Sequence, residues 1–447
     1  MPTAFADPAG LPAAKATMPS ATPSATSAAA APAAIPAHLL QVLAASGLKS
    51  LTLAGRRLLP IVQGGMGVGV SAHRLAGAVA AQGGVGTLSA VDLRRHHPDL
   101  MARTEGLALR VGCDADTKAQ IDAANLEAVE REVRAARTAA GGRGLIAMNV
   151  MRAVSDYAAY VRRALDAGVD MVVVGAGLPL DLPDLAADHP QALLVPILSD
   201  ARGVALIVKK WERKKRLPDA IVIEHPRLAG GHLGAARIAD LNDPRFDFER
   251  VIPESLAFLR KAGLEGCVPL IAAGGIRTCE DIIRLQALGA AGVQLGTPFA
   301  VTTECDASDA FKRVLADARD EDLVEFTSVA GLPARAVGTA WLRAYLKIEP
   351  RLQAVAHAKS RCTKAFDCLA QCGLRDGTPG WGQFCIDNQL AAALRGDLKK
   401  GLYFRGVGAL PFGTQVRSVR ALIERLLTRG RDLPAAPVVG AGVPLPA

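Results

Sequence analysis

The segment Val268-Pro269-Leu270-Ile271-Ala272-Ala273-Gly274-Gly275 and its successor Gly292-Val293-Gln294-Leu295-Gly296-Thr297 decide the architecture. Each is an apolar run ending in glycine, so each delivers a strand terminus stripped of side chains. Thr278, just past the first pair, stands where a helix N-cap belongs. Backbone N–H groups at such turns bind a phosphate without needing a cation. Two turns of this kind in succession, Gly274-Gly275 and Gln294–Thr297, read as one phosphate site. An open doubly wound sheet carries its phosphate loop after the first strand, as G-x-G-x-x-G. Gly65-Met66-Gly67-Val68-Gly69 matches that only loosely. A (β/α)8 barrel builds the site from the loops after strands seven and eight, which is where these glycines fall.

Outward from that pair, the chain alternates short apolar runs with amphipathic stretches. The runs are Leu59–Gln63, Val85–Ser89, Leu145–Val150, Met171–Val174, Leu193–Leu198, Ala220–Glu224, Val268–Ala273 and Gly292–Leu295. They are rich in Val, Ile and Leu without alternation, as strands covered on both faces must be. Helices are predicted over Ala72–Gln82, Asp156–Ala167, Gly203–Lys215 and Cys279–Leu288. Ser71 and Thr278 stand at N-cap positions, and Gly83, Gly168 and Gly289 follow helix ends. Eight strands with helices between them predict a TIM barrel over residues 49–300. Two departures are expected to cover its active face: an excursion at 226–265 and a helix-rich extension at 301–432. Residues 1–48, rich in Ala and Pro, read as a disordered leader, and 433–447 as a flexible tail.

Composition narrows the function classes. Of 447 residues 50% are hydrophobic, enough for a large core. No long apolar stretch escapes Gly, Pro or charge, so no membrane span is expected. The leader lacks the basic start and unbroken apolar centre of a secretory signal, which predicts a cytoplasmic protein. The net charge of +9 raises nucleic acid as a partner. Its densest basic run, Lys209–Arg216, falls at a predicted helix end, where cations suit the dipole, so no nucleic-acid partner is expected. A homo-oligomer is compatible with the chain. Cys362, Cys368, Cys372 and Cys385 are spaced more loosely than zinc knuckles or iron–sulfur runs, so they read as thiols and no metal is expected. Among histidines, His38, His73, His96, His97 and His357 read as solvated, and His189 and His225, beside prolines, as structural.

His232 is different. It closes Ala229-Gly230-Gly231-His232-Leu233-Gly234, straight after the sixth apolar run. That places one titratable ring at a side-chain-free strand end beside the predicted phosphate site, where a general base would stand; a structural histidine is the alternative. Gly64, Gly65 and Met66, after strand one, offer either a surface for a planar ligand or a turn that needs positive φ. Asn149, closing strand three, reads as a carboxamide for a heteroaromatic ring or as a buried structural residue.

The segments Leu58–Val70, Met148-Asn149-Val150, Val174–Pro179, Trp211 with Leu217–Ala220, Ala229–Gly234, Ala272–Ile276, Gln294–Phe299 and Thr327–Ala336 resemble the nitronate monooxygenase family. The similarity runs from about residue 50 to 425 and is closest to a branch with a longer, cysteine-bearing C-terminal part. The resemblance implies FMN in a TIM barrel. It places Gly274, Gly275, Gln294, Leu295, Gly296 and Thr297 at the phosphate and Gly64, Gly65, Met66 and Asn149 at the ring. Gly230 and Gly231 then lie where the cofactor approaches, and Glu224 at a polar flavin contact. His232 matches the family's base, and the implied partners are a small nitronate or nitroalkane and O2, giving a carbonyl compound and nitrite. Glu224-His225-Pro226-Arg227-Leu228 departs from the family's glycine-containing form and is one residue longer, which bears on substrate preference. The scaffold also resembles FMN-dependent enoyl-acyl carrier protein and quinone reductases that use NAD(P)H, the rival reading.

Overall fold

Apolar runs that must bury both faces can do so by closing on one another inside a ring of helices. The computed structural model, which describes residues 34–104, 107, 115–356 and 368–430, shows this closure. A hairpin, β1 (Leu51–Leu53) and β2 (Arg56–Leu58), comes first. The parallel strands β3 (Ile61–Gln63), β4 (Val85–Ser89), β5 (Leu145–Met151), β6 (Met171–Gly175), β7 (Leu193–Leu198) and β8 (Ile221–Glu224) follow. Past a two-residue strand outside the barrel, β9 (Gly231–His232), come β10 (Leu270–Ala273) and β11 (Gly292–Leu295). The barrel closes in the order β10-β11-β3-β4-β5-β6-β7-β8, with Val293 beside Ile61 and Ala273 beside Glu224. All eight predicted runs are barrel strands, within two residues at each end.

Side chains alternate between two cores. Val62, Val85, Ala147, Val173, Val195, Val222 and Ile271 form the barrel interior. Ile61, Ile146, Met148, Val172, Leu194, Ile221 and Leu270 pack outward among the helices. Leu51, Leu53 and Leu58 of the hairpin join the inner core beside Leu145, Met171 and Leu193, the first residues of their strands, and so plug the barrel's N-terminal end. The hairpin turns at Ala54 and Gly55, with φ of 47° and 72°.

The helices begin and end for local reasons. Thr278 caps Cys279–Ala287 through a full capping box: its hydroxyl accepts from Asp281 N–H, and the Asp281 carboxylate accepts from Thr278 N–H. Gly83, Gly168 and Gly289 follow their helices at φ of 88°, 84° and 104°. Ser71, however, is no cap. Its hydroxyl accepts from Met66 N–H at 2.9 Å, and the helix His73–Ala81 is capped instead from the extension. The Asp306 carboxylate accepts from the N–H groups of Ala72, Arg74 and Leu75 at 2.9–3.1 Å.

The segments outside the barrel strands hold more structure than expected. Residues 37–46 form a helix whose Leu39 and Leu43 are fully buried, so the leader does not extend to 48; residues 1–33 lie outside the described part. The 226–265 excursion contains the barrel's own helix Phe248–Lys261. The 301–432 extension, besides helices such as Ala340–Ala354, carries β12 (Leu323–Thr327) and β13 (Pro333–Val337), which form a three-stranded sheet with β9. The tail 433–447, His357 and Cys362 lie outside the described residues.

His73, His96 and His97 are not free in solvent but partnered. The Glu132 carboxylate, 1% exposed, pairs with His73 Nδ1 at 2.9 Å and His97 Nε2 at 3.0 Å, while His96 Nε2 bonds the Gly69 carbonyl. Among the described residues no helix is long and apolar enough to cross a membrane.

The cross-chain cap is testable. Asp306→Ala leaves three helix-terminal N–H groups without acceptors, which is expected to cost about 2 kcal/mol. Urea unfolding should show a lower midpoint at unchanged slope.

Candidate active site

At the C-terminal end of the barrel lies a cavity of about 270 Å³. Every residue that the sequence places at the cofactor or as the base lines it, from Gly64, Gly65 and Met66 through Asn149, Glu224 and Gly230–His232 to Gly274, Gly275 and Gln294–Thr297. Parallel strands explain the convergence, because all eight deliver their C-terminal residues to one end.

The glycines are needed for different reasons. A Cβ on Gly65 would overlap the Asn149 side chain, so ring-side turn and carboxamide are in contact. Gly274 and Gly275 take φ of 107° and 72°, which turn the chain back under the cavity. Gly230 answers to something else: a Cβ there would overlap the backbone of Arg405 and Gly406. The AGGH loop is thus pressed against a strap from the extension. That strap, residues 402–410, is stitched down along its length. Val337 N–H donates to Tyr403 O at 2.8 Å, Gly406 N–H to Thr297 Oγ1 at 3.0 Å, and Val407 N–H to Leu228 O at 3.2 Å.

Several site residues carry no local sequence signature. Arg277 lines the cavity just after Gly275, and its buried Nε has no hydrogen-bond partner. A cation beside two bare strand-end turns fits an anionic ligand group. Ser328, fully buried at the end of β12, bonds His232 Nε2 through its hydroxyl at 3.0 Å. Phe404 of the strap tilts its ring against the imidazole, with centroids 5.6 Å apart. The one usable sequence signal was Phe404-Arg405-Gly406-Val407-Gly408, a glycine-spaced stretch inside an otherwise helical region.

His232 belongs to the barrel by chain order and to the extension by hydrogen bonding. It pairs with Ala334 of β13, and Gly231 pairs with Arg335. Burial pushes the imidazole down to about 4, so the ring is neutral at physiological pH. Glu224, partly buried at the end of β8, is shifted by the same cause the other way: desolvation raises its carboxyl to about 7. The site therefore holds a neutral imidazole beside a carboxyl that keeps its proton below about pH 7 and exchanges it near neutrality.

The sequence matches the model of the nitronate monooxygenase family over residues 56–429. The chain belongs to that family. A "probable nitronate monooxygenase" of Staphylococcus saprophyticus is 30% identical over 118 residues, 26% of this chain and 31% of that protein. Its counterpart in Staphylococcus haemolyticus is 25% identical over 162 residues, 36% of this chain and 43% of its own. The matches thus span less than half of those relatives. Among solved structures, FabK from Thermotoga maritima aligns over 88% of this chain and 95% of its own, with a TM-score of 0.56 at 18% identity. Nitroalkane oxidase from Streptomyces ansochromogenes aligns over 82% and 94%, with a TM-score of 0.55 at 20% identity. At those identities the likeness is one of fold, a (β/α)8 barrel.

Two outcomes are expected of this family member. Gly230→Ala forces the loop and the strap apart and should cost more than about 2 kcal/mol, read as a lower melting temperature. The second concerns pH. A carboxyl raised to about 7 in the folded state contributes stability by staying protonated, and that stability is lost as pH rises through 7. Glu224→Gln, which cannot ionise, should therefore gain about 2–4 °C over the parent at pH 9 relative to pH 6. An equal difference at both pH values would mean that Glu224 is ionised throughout.

Proposed function

We propose that this chain is an FMN-dependent oxidoreductase that converts alkyl nitronates and O2 to a carbonyl compound and nitrite, with His232 as general base toward neutral nitroalkanes. The observation that carries the reading is the uncharged imidazole of His232 on the wall of the cavity that the two strand-end turns and Arg277 also line. The cavity fits FMN in its donor set. Gly274–Arg277 and Gln294–Thr297 offer backbone N–H groups and the unpartnered Arg277 Nε to a phosphate. Gly64, Gly65 and Met66 offer a flat, side-chain-poor wall, and Asn149 a carboxamide, to the ring. Bound FMN would supply the two-electron acceptor that O2 reoxidises.

The protein's own part is proton management and exclusion of water. Desolvation keeps His232 neutral, which a base requires. With Nε2–H donating to Ser328 Oγ, the lone pair on Nδ1 is left to take the α-proton of a nitroalkane. Phe404 and the β9–β13 ladder fix the ring's plane. The strap roofs the cavity and limits water around the reacting carbon.

The decisive measurement is anaerobic mixing of the flavin-loaded protein with NADH or with a nitronate. Bleaching by the nitronate alone is expected; rapid bleaching by NADH would instead assign the reductase activity. His232→Ala should lower the rate with neutral nitroalkanes by about 10²–10⁴-fold and with nitronates by less. The parent's rate with nitroalkanes should show no break near 6.5 and should fall only as pH drops toward 4, where the imidazole takes a proton.

A further inference from the structure

His232 borders two spaces. Besides the main cavity there is a side chamber of about 60 Å³, and the two share Gly67, Met151, His232 and Leu390 in their walls. A molecule reacting at His232 therefore has the chamber as its neighbouring space. Two parts of the chain build the rest of the wall. The barrel supplies Val68, Val91 and Val154 from the loops after β3, β4 and β5, and the extension supplies Leu369 and Ile386. The charged side chains at the chamber's edge already have partners: Asp92 pairs with Arg94 at 2.8 Å, Asp387 with Arg95 at 3.0 Å, and Asp122 and Asp156 share Lys118. The space between them is walled mainly by aliphatic carbon.

Two further observations mark that wall as built rather than left over. Leu369 pairs with Val154 in an antiparallel bridge, and Ala370 N–H donates to Ala153 O at 2.9 Å, so the extension is hydrogen-bonded to the barrel rim at the chamber. The second is Val68, which takes φ of 49°. It stands between Gly67 and Gly69, in a conformation that glycine adopts freely and a β-branched residue only at a cost. A strained side chain that is kept points to a role for it. This one lines the chamber.

We propose that this chamber holds the alkyl tail of the substrate, and that Val68 and Ile386 set its length, favouring an unbranched chain of about four carbons beyond the reacting carbon. The proposal rests on the nitronate reading only for which end of the molecule reacts. The length follows from the volume. A water-sized group needs about 10–15 Å³, so 60 Å³ admits about four methylene-sized groups. Each methylene that enters leaves water for an aliphatic wall, an effect of about fourfold in kcat/KM per group. Once the chamber is full, a further methylene finds no wall to pack on and adds nothing. The extension thereby acquires a second task besides orienting His232: through Leu369 and Ile386 it closes the far side of the tail's space.

The test measures kcat/KM of the flavin-loaded protein with the anions of nitroethane through 1-nitroheptane, which share one reacting head. Values should rise about fourfold per methylene as far as 1-nitropentane and then level or fall. Ile386→Phe, which fills the chamber, should move that turning point to a chain about one or two carbons shorter. Val68→Gly opens the chamber and suits the left-handed backbone, so it should move the turning point to a longer chain; it serves where the phenylalanine variant does not fold. A profile flat with length, or a turning point unmoved in every variant that folds, overturns the proposal. A readout independent of turnover is the melting temperature of the full chain with straight-chain alcohols, ethanol to 1-heptanol, at equal millimolar concentration. Stabilisation should grow with length until the chamber is full, and the two variants should shift that limit in opposite directions. If no nitronate is consumed but the alcohols follow this order, the functional reading fails and the alkyl chamber stands. If longer alcohols only destabilise the protein, the chamber proposal falls.

Discussion

The site depends on one buried guanidinium. Arg335, 2% exposed, sits in β13 and donates through Nη1 to the carbonyls of Ala229 and Pro226 and through Nη2 to Glu325. Those carbonyls belong to the loop that leads from β8 to His232, and a loop of that length would otherwise leave its backbone acceptors to solvent. The same strand continues the restraint as a ladder: Arg335 pairs with Gly231 and Ala334 with His232, and Leu233 N–H donates to Pro333 O at 2.8 Å. The catalytic end of the barrel is therefore half barrel and half extension. Removing the extension would remove both the restraint on the loop and the hydroxyl that orients the imidazole.

Such an arrangement needs close approach of backbone to backbone. Gly230 faces the peptide between Arg405 and Gly406, and a Cβ on Gly406 would come within 3.0 Å of Leu228 O. Gly408 takes φ of 91°, and a Cβ there would displace the Arg277 guanidinium. The strap thus rests on the AGGH loop and on Arg277 through glycines on both sides of the contact. Ordering it costs conformational entropy, which the stitching hydrogen bonds to Thr297, Leu228 and Val337 offset. The barrel below is rigid by contrast, with its interior filled by Val, Ile and Ala and its lower mouth shut by three leucines.

Much of this was legible because it is local. Each barrel strand is a continuous apolar run whose burial on both faces leaves a compositional mark, and several helix ends carry their own cap or glycine. The cavity's glycines follow those strands directly, so their convergence came with the fold. What stayed hidden is non-local. β9 is two residues long, too short for any period, and finds its partner about a hundred residues on. Ser328 and Phe404 acquire their places only through that pairing and the strap. Ser71 stands where a cap should be, yet an aspartate from the extension took the role, a competition no window of sequence displays. Glu132 likewise pairs with His73 and His97 from a helix distant in sequence. The hairpin β1–β2 is a local element that was readable and missed: Leu51 and Leu53 alternate with polar Thr52, and Ala54-Gly55 is a turn pair.

The burial that makes His232 useful also limits it. Each unit by which desolvation lowers the imidazole takes about 1.4 kcal/mol from the driving force for accepting a proton. A base pushed down to about 4 is therefore always available at neutral pH but is a weak acceptor for a neutral carbon acid. A nitronate, which arrives without that proton, avoids the cost. In the proposed reaction the anion is accordingly the better substrate, and the histidine serves it by lying uncharged and ordered against the reacting carbon. A protonated imidazole could hold the anion more tightly, but holding the ground state more tightly does not speed the chemical step. The hydroxyl of Ser328 and the ring of Phe404, both supplied by the extension, are what keep a neutral imidazole in a single orientation.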